Sequence, residues 1–203
     1  ISASLPETGH WGQAPDMVLE GDEYVIGNGD MRSKFALYHP QHLLLTSLIH
    51  DHVNVFPTFA DYEAPFLDLL RGLPADGLCV LRSHPAIRSV AGQTQARKVW
   101  YDTEPCDGWY SRDVVYGETS TFTLVGPDGQ VLDLRTSLLG AHNIENIVGV
   151  GACLLTRGLV SPEAFATGVA SFAGIRRRLD SLTTTSRVLV IEGFGSSYEK
   201  ARS

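Results

Sequence analysis

Cysteine is scarce in this chain. Its 203 residues include three, Cys79, Cys106 and Cys153, far apart and without a C-x-x-C pair, which excludes a disulfide framework and a cysteine zinc knuckle and predicts reduced, structural thiols. Long apolar runs are missing too. No stretch approaches the roughly 18 to 20 residues needed to span a bilayer, and the N-terminus has neither the basic nor the apolar region of a secretory signal. A cytoplasmic protein without membrane insertion is expected. Positive charge is also in short supply: the formal net charge is −7 and the pI about 5.4. The one basic cluster is Arg176, Arg177 and Arg178, so nothing marks a nucleic-acid partner. Internal repeats and low-complexity tracts are absent.

What is present is an ordinary globular composition. At 43% hydrophobic residues, a chain of this length buries about 70% of its unfolded surface, enough for one core and the start of a second unit. The chain opens on Ile1 and closes on Ala201-Arg202-Ser203 just after an expected strand, which reads as a piece of something longer.

Residues 1 to 16 show no period and read as irregular lead-in. Met17-Val18-Leu19 and Leu43 to Ile49 are short apolar runs expected as strands, the second buried on both faces. Apolar Phe59, Tyr62, Phe66, Leu69 and Leu70 recur at helical steps, so an amphipathic helix is expected from Thr58 to Leu70, ahead of a strand at Leu78 to Leu81. Strand, helix, strand implies a parallel sheet. Residues 121 to 125 and 131 to 136 flank Gly126-Pro127-Asp128-Gly129, a hairpin. A helical stripe runs from His142 to about Arg157. Ser161-Pro162-Glu163 opens a further helix to about Phe172, with Ser161 as cap and Pro162 at the first helical position. Residues 187 to 191 read as a last strand. The expected fold is α/β: a mostly parallel sheet flanked by helices, with an added antiparallel hairpin.

Four stretches carry possible chemistry. Glu20-Gly21-Asp22-Glu23-Tyr24 puts three carboxylates after an apolar run, either a Mg²⁺ site at the carboxyl ends of strands or a solvated acidic turn. His50-Asp51-His52 offers imidazole and carboxylate to a metal, or is a structural pair of histidines or a hydrolase half-site lacking its remaining ligands. Gly140 to Asn146 opens a helix with Asn143 and Asn146 one turn apart, where paired amides could read a planar ligand edge, unless Asn143 serves as a cap. Gly174 to Asp180 carries consecutive arginines suited to phosphate, or to a basic surface turn. Gly27-Asn28-Gly29 lacks the Gly-Lys-Ser/Thr of a phosphate loop, and Gly193 to Ser197 lacks the order of a nucleophile elbow.

The order and spacing of these stretches resemble the Mur ligases, and among them the muropeptide-ligase branch, over nearly the whole chain. Val18 to Tyr24 is similar to the family's Glu-Ala-Asp-Glu-Tyr stretch. Arg32-Ser33-Lys34-Phe35 with Tyr38 and Pro40 is similar to the segment that follows it in the muropeptide branch, and Leu45 to His52, continuing through Phe56 and Pro57, to the strand ending in Asp-His. Leu139 to Asn143 with Asn146 matches Gly-x-His-Asn-x-x-Asn, and Ser171-Phe172 through Arg178-Leu179-Asp180 matches the Arg-Arg-Leu-acid ending of the central domain.

The resemblance implies that residues 1–180 form the central ATP-binding domain without its N-terminal phosphate loop, and that 181–203 begin the C-terminal ligase domain. It implies Glu20 and His52 as Mg²⁺ ligands at the catalytic centre, Asn143 and Asn146 as adenine contacts, His142 as a neighbour of the base and Arg178 as a phosphate contact. The implied reaction joins the carboxylate of UDP-N-acetylmuramate to an amine, a muropeptide or an amino acid, through an acyl phosphate made with ATP. Without the phosphate loop these residues alone are expected to be inactive. Two positions depart from the family: Gly193 stands where a ribose-binding carboxylate is usual, and Ser47 replaces an asparagine. An alanine-adding Mur ligase, a non-catalytic nucleotide or UDP-sugar module and a metal hydrolase on His50 and His52 are the alternatives.

Overall fold

The computed structural model describes residues 9–175 and 188, with the backbone at 178–181 and 191–193. Its centre is a six-stranded sheet in sequential order: β3 (His42–Leu45), β4 (Leu78–Arg82), β5 (Arg97–Asp102), β6 (Gly108–Val115), β7 (Ser120–Val125) and β8 (Val131–Thr136). The first four strands pair in parallel, and β7 and β8 add antiparallel. The expected architecture is therefore present. Before the sheet, β1 (Val25–Gly27) and β2 (Asp30–Ser33) form a small hairpin. Its turn is Gly27-Asn28-Gly29, all three at positive φ, so this glycine pair supplies left-handed turn geometry.

Helix α1 (Phe59–Gly72) lies between β3 and β4. Thr58 caps it through a reciprocal box, its hydroxyl accepting from the Asp61 amide while the Asp61 carboxylate accepts from the Thr58 amide. Helix α2 (Pro85–Val90) lies between β4 and β5; α3 (Ala141–Thr156) and α4 (Pro162–Ser171) follow β8.

Strand β4 shows why the sheet has two cores. Side chains alternate along a strand: Cys79 and Leu81 point into a cluster with Tyr62, Phe66, Leu70 and Ile87 of α1 and α2, while Leu78 and Val80 point into one with Ile144, Val148 and Ala152 of α3 and Phe165 of α4. Leu78, Cys79, Val80 and Leu81 are all buried, and only Arg82 at the end of β4 is partly exposed. Helices thus cover both faces, as a parallel sheet requires.

Some expectations fail. Met17-Val18-Leu19 is not a strand, and Val18 is 92% exposed. The run Leu43 to Ile49 forms strand only up to Leu45, because the chain leaves the sheet there to build the loop that carries His50 and His52. Strand β10 (Ile191–Gly193) pairs antiparallel with β9 (Arg178–Ser181). Of the strand expected at 187–191, residues 187, 189 and 190 lie outside the described residues, as do Arg176 and Arg177.

Candidate functional site

The carboxyl ends of β3, β4 and β5 and the start of α3 meet at one edge of the sheet. Two contacts establish the direction of α3. At its start, Glu145 Oε2 lies 2.6 Å from Nη2 of Arg82, the last residue of β4. At its end, the Thr156 hydroxyl accepts from the indole N–H of Trp109, near the start of β6, at 3.1 Å. Helix α3 therefore runs antiparallel to the parallel strands and delivers its N-terminal turn to their carboxyl edge, where open α/β sheets bind ligands.

Beyond β3 the loop turns sharply. His52 adopts φ 54, its carbonyl accepts from the amides of Val55 and Phe56, and its own amide donates to Asp51 Oδ1 at 2.8 Å. His50 is tied to the same loop, with Nε2 2.8 Å from the Phe56 carbonyl and its ring against Tyr62. His50 is thereby engaged within its own loop, whereas the His52 ring faces Glu23 and Tyr24 of the acidic stretch.

The acidic stretch and the His-Asp-His stretch come together, as the sequence suggested, but not through Glu20. Nε2 of His52 lies 3.4 Å from Glu23 Oε1, and the His52 ring meets Tyr24 edge-on. Asn54 donates to the Tyr24 hydroxyl at 3.3 Å. Asp22 faces elsewhere: its carboxylate accepts from Lys34 Nζ at 2.7 Å and from the Tyr24 amide at 2.9 Å. Burial alone would push the Asp22 carboxyl up, but the Lys34 and Tyr24 hydrogen bonds and the charges of Lys34 and His52 outweigh it and hold the group below its ordinary value. Glu20 is exposed. Residues 20 to 23 carry no regular secondary structure, and the adjacent carboxylates Asp22 and Glu23 serve different partners, Lys34 and His52. The lysine twelve positions on from Asp22, a counter-charge for one acid of the run, is the signal by which this division could have been found.

Two ligand-competent groups, His52 and Glu23, thus stand side by side with Glu20 exposed nearby in sequence. Among the described residues no group of three or more histidine, cysteine or acidic side chains is gathered to hold a metal. Such a sparse set does not make a zinc cage, but it fits Mg²⁺, which keeps waters and takes one or two protein ligands beside substrate phosphates.

At the opening of α3 the helix has no capping side chain. Its N-cap is Gly140, at φ 88, and the His142 ring packs so closely on it that an added Cβ would lie 2.8 Å from Cε1. Nδ1 of His142 is buried without a partner. The Asn143 side-chain amide donates one N–H to the Leu139 carbonyl at 2.7 Å, so Asn143 ties the turn to its lead-in while its oxygen and second N–H remain for a ligand. Asn146, one turn on, is exposed. Behind this turn burial raises the Glu145 carboxyl, Arg82 opposes that shift and Asp102 adds to it. Arg178 opens β9, directly opposite Gly193 in register.

The profile of the Mur ligase middle domain matches residues 13–154. The UDP-N-acetylmuramate:L-alanyl-gamma-D-glutamyl-meso-2,6-diaminoheptandioate ligase of Escherichia coli is 29% identical over 197 residues, 96% of this chain and 42% of that protein. A UDP-N-acetylmuramate–L-alanine ligase of Xanthomonas campestris is 31% identical over 186 residues, 87% of this chain and 39% of that protein. The crystal structure of the muropeptide ligase of Neisseria meningitides superposes with a TM-score of 0.68 at 25% identity, over 78% of this chain and 48% of that one. The chain therefore spans less than half the length of these relatives. Since the profile covers well over half of its residues, the chain belongs to the Mur ligase middle-domain family.

Proposed function

We propose that this chain is the central, nucleotide- and metal-binding part of a cytoplasmic ATP-dependent amide ligase of peptidoglycan synthesis or recycling, joining UDP-N-acetylmuramate to an amine-bearing muropeptide. One observation carries the reading: the His52–Glu23 pair and the opening of α3 share the carboxyl edge of the parallel strands. At such an edge a metal-bound polyphosphate would lie towards His52 and Glu23 and a base towards the opening of α3. Mg²⁺ there would neutralise charge on a transferring phosphoryl group. His52 and Glu23 would hold it, together with Glu20, the carboxylate that the family resemblance assigns to the metal. Asn146 and the free oxygen of Asn143 would read the base edge, with His142 behind them, and Arg178 would contact phosphate. The substrate carboxylate takes the γ-phosphoryl group and ADP leaves; the amine then attacks the acyl carbon, phosphate leaves and the amine gives up its proton.

The muropeptide branch is favoured because that alignment takes in 96% of the chain. The alanine-adding reading has its own support in the 31% identity to the Xanthomonas enzyme. The test is amide formation by the full-length protein with UDP-N-acetylmuramate, ATP, Mg²⁺ and either the tripeptide or L-alanine, with Glu20→Ala and His52→Ala as controls. Product with the tripeptide, lost in both variants, supports the proposal. Product only with L-alanine moves the protein to the sister branch, and no product with either amine removes the ligase reading.

A further inference from the structure

The opening turn of α3 has none of the devices that usually secure a helix start. Its N-cap is a glycine with no side chain to accept from the free amides, and its first turn holds no acidic residue. What braces it comes from the sheet. Arg82 reaches from the last position of β4 to Glu145, and their side chains are only 28% and 17% exposed. Beneath them Tyr101 of β5 is fully buried, its ring packed so tightly on Gly149 of α3 that an added Cβ would lie 2.9 Å from it. The Tyr101 hydroxyl has no partner. Below the opening turn the apolar stripe of Ile144, Ile147, Val148 and Ala152 seats α3 on the sheet; at the opening turn itself the Arg82–Glu145 ion pair is the polar tie to β4, and it helps to lock how that turn is rotated about its axis. Glu145 sits between Asn143 and Asn146 in sequence, and a step of one residue on a helix is about a hundred degrees of rotation. Holding Glu145 towards β4 thus helps to fix, with buried Ile144 and Ile147 on either side, the direction in which Asn146 projects.

We infer that Arg82 and Glu145 are positioning residues for nucleotide recognition: their ion pair sets the rotation of the α3 opening turn and so aims the Asn146 amide at the adenine edge. This rests on the nucleotide reading proposed above. Removing one member of a half-buried pair strands the other charge, so either loss should loosen the turn, and the two losses should not add.

The experiment uses the full-length protein and measures dissociation constants for ATP, GTP and UDP-N-acetylmuramate by calorimetry, with thermal unfolding as a control on folding. Glu145→Gln and Arg82→Met are each expected to weaken ATP at least tenfold and to erase most of the preference for ATP over GTP, with UDP-N-acetylmuramate affinity unchanged. The double variant should be no worse than the poorer single. Glu145→Asp, which keeps the charge but shortens its reach, guards against a folding failure and is expected to weaken ATP severalfold. ATP affinity within twofold of wild type in these variants, additive losses, or a parallel loss of UDP-N-acetylmuramate would each overturn the inference. If ATP binds and is lost in Asn146→Ala but untouched in Glu145→Gln, the positioning role alone is wrong. If the unaltered protein binds no ATP, the nucleotide reading fails and this inference with it.

Discussion

The indole of Trp109 and the hydroxyl of Thr156 meet at 3.1 Å across 47 residues of sequence, joining the start of β6 to the last turn of α3. Trp109 is 3% exposed, so its N–H has no water to fall back on. Thr156→Val keeps the shape and removes the acceptor. A buried donor left unpaired costs about 1 to 3 kcal/mol, and a loss of that size should appear as a lower midpoint in urea unfolding with an unchanged slope. An unchanged midpoint would mean that another acceptor serves the indole.

One substitution, glycine to alanine, should have opposite signs at two positions. Gly108 lies directly under strand β5, where an added Cβ would come within 2.0 Å of the Trp100 carbonyl oxygen. The backbone must give, and Gly108→Ala should destabilise by about 1 to 3 kcal/mol or more. Gly168, inside α4, meets nothing within 4 Å, so Gly168→Ala should stabilise by about 0.5 to 1 kcal/mol through helix propensity. Thermal midpoints of the two variants, side by side, check both signs.

His42 predicts a pH dependence. Its Nδ1 accepts from the Leu78 amide at 3.0 Å, at the first rung between β3 and β4. Burial, and next the charge of Arg157, lower its pKa from 6.5, against smaller opposing effects of Asp16 and Asp76. A histidine that resists protonation when folded takes up its proton first in the unfolded chain. Its contribution is therefore present above pH 6.5 and is lost as pH falls from there towards the lowered folded value. Urea unfolding at pH 7.5, 6.5 and 5.5 should show that decline, and His42→Gln should flatten it; an identical slope in the variant would acquit His42.

The pairing of Glu23 with His52 makes a prediction about metal. In the full-length protein Glu23→Gln should raise the Mg²⁺ concentration needed for ATP binding severalfold, since it removes a charge beside His52. Asp22→Asn should instead act mainly on stability, because that carboxylate is already engaged by Lys34. A Mg²⁺ titration of ATP binding with both variants separates the roles, and a metal effect confined to Asp22→Asn would reverse them.

Much of the fold was legible because strong periodicity survived in its elements. The apolar stripe of α1, the cap and proline of α4 and the turn of the β7–β8 hairpin all lie where the pattern put them. Strand β5 was missed because Arg97 and Lys98 open it at the exposed end of the sheet, leaving only Val99 and Tyr101 to mark the buried face. Met17-Val18-Leu19 misled for the opposite reason, being apolar yet exposed. At the site, the sequence pattern supplied the acidic stretch, His52 and the asparagine pair. It did not say which carboxylate turns towards His52, since that depends on Lys34 drawing Asp22 away, nor that Arg82 reaches Glu145 across 63 positions of chain.

The hairpin that widens the sheet has a bearing on engineering. Strand β6 runs with its parallel neighbours, β7 returns and β8 runs forward again. Two added strands are an even number of reversals, so the chain comes back to the same edge before α3 begins. The connection 116–119 therefore lies at the same edge of the sheet as the proposed site, while the turn 126–130 sits at the opposite edge. A reporter peptide spliced into that turn, at Asp128-Gly129, would leave the sheet at the edge away from the proposed site, whereas the same splice at Gly117-Glu118 would leave it at the same edge.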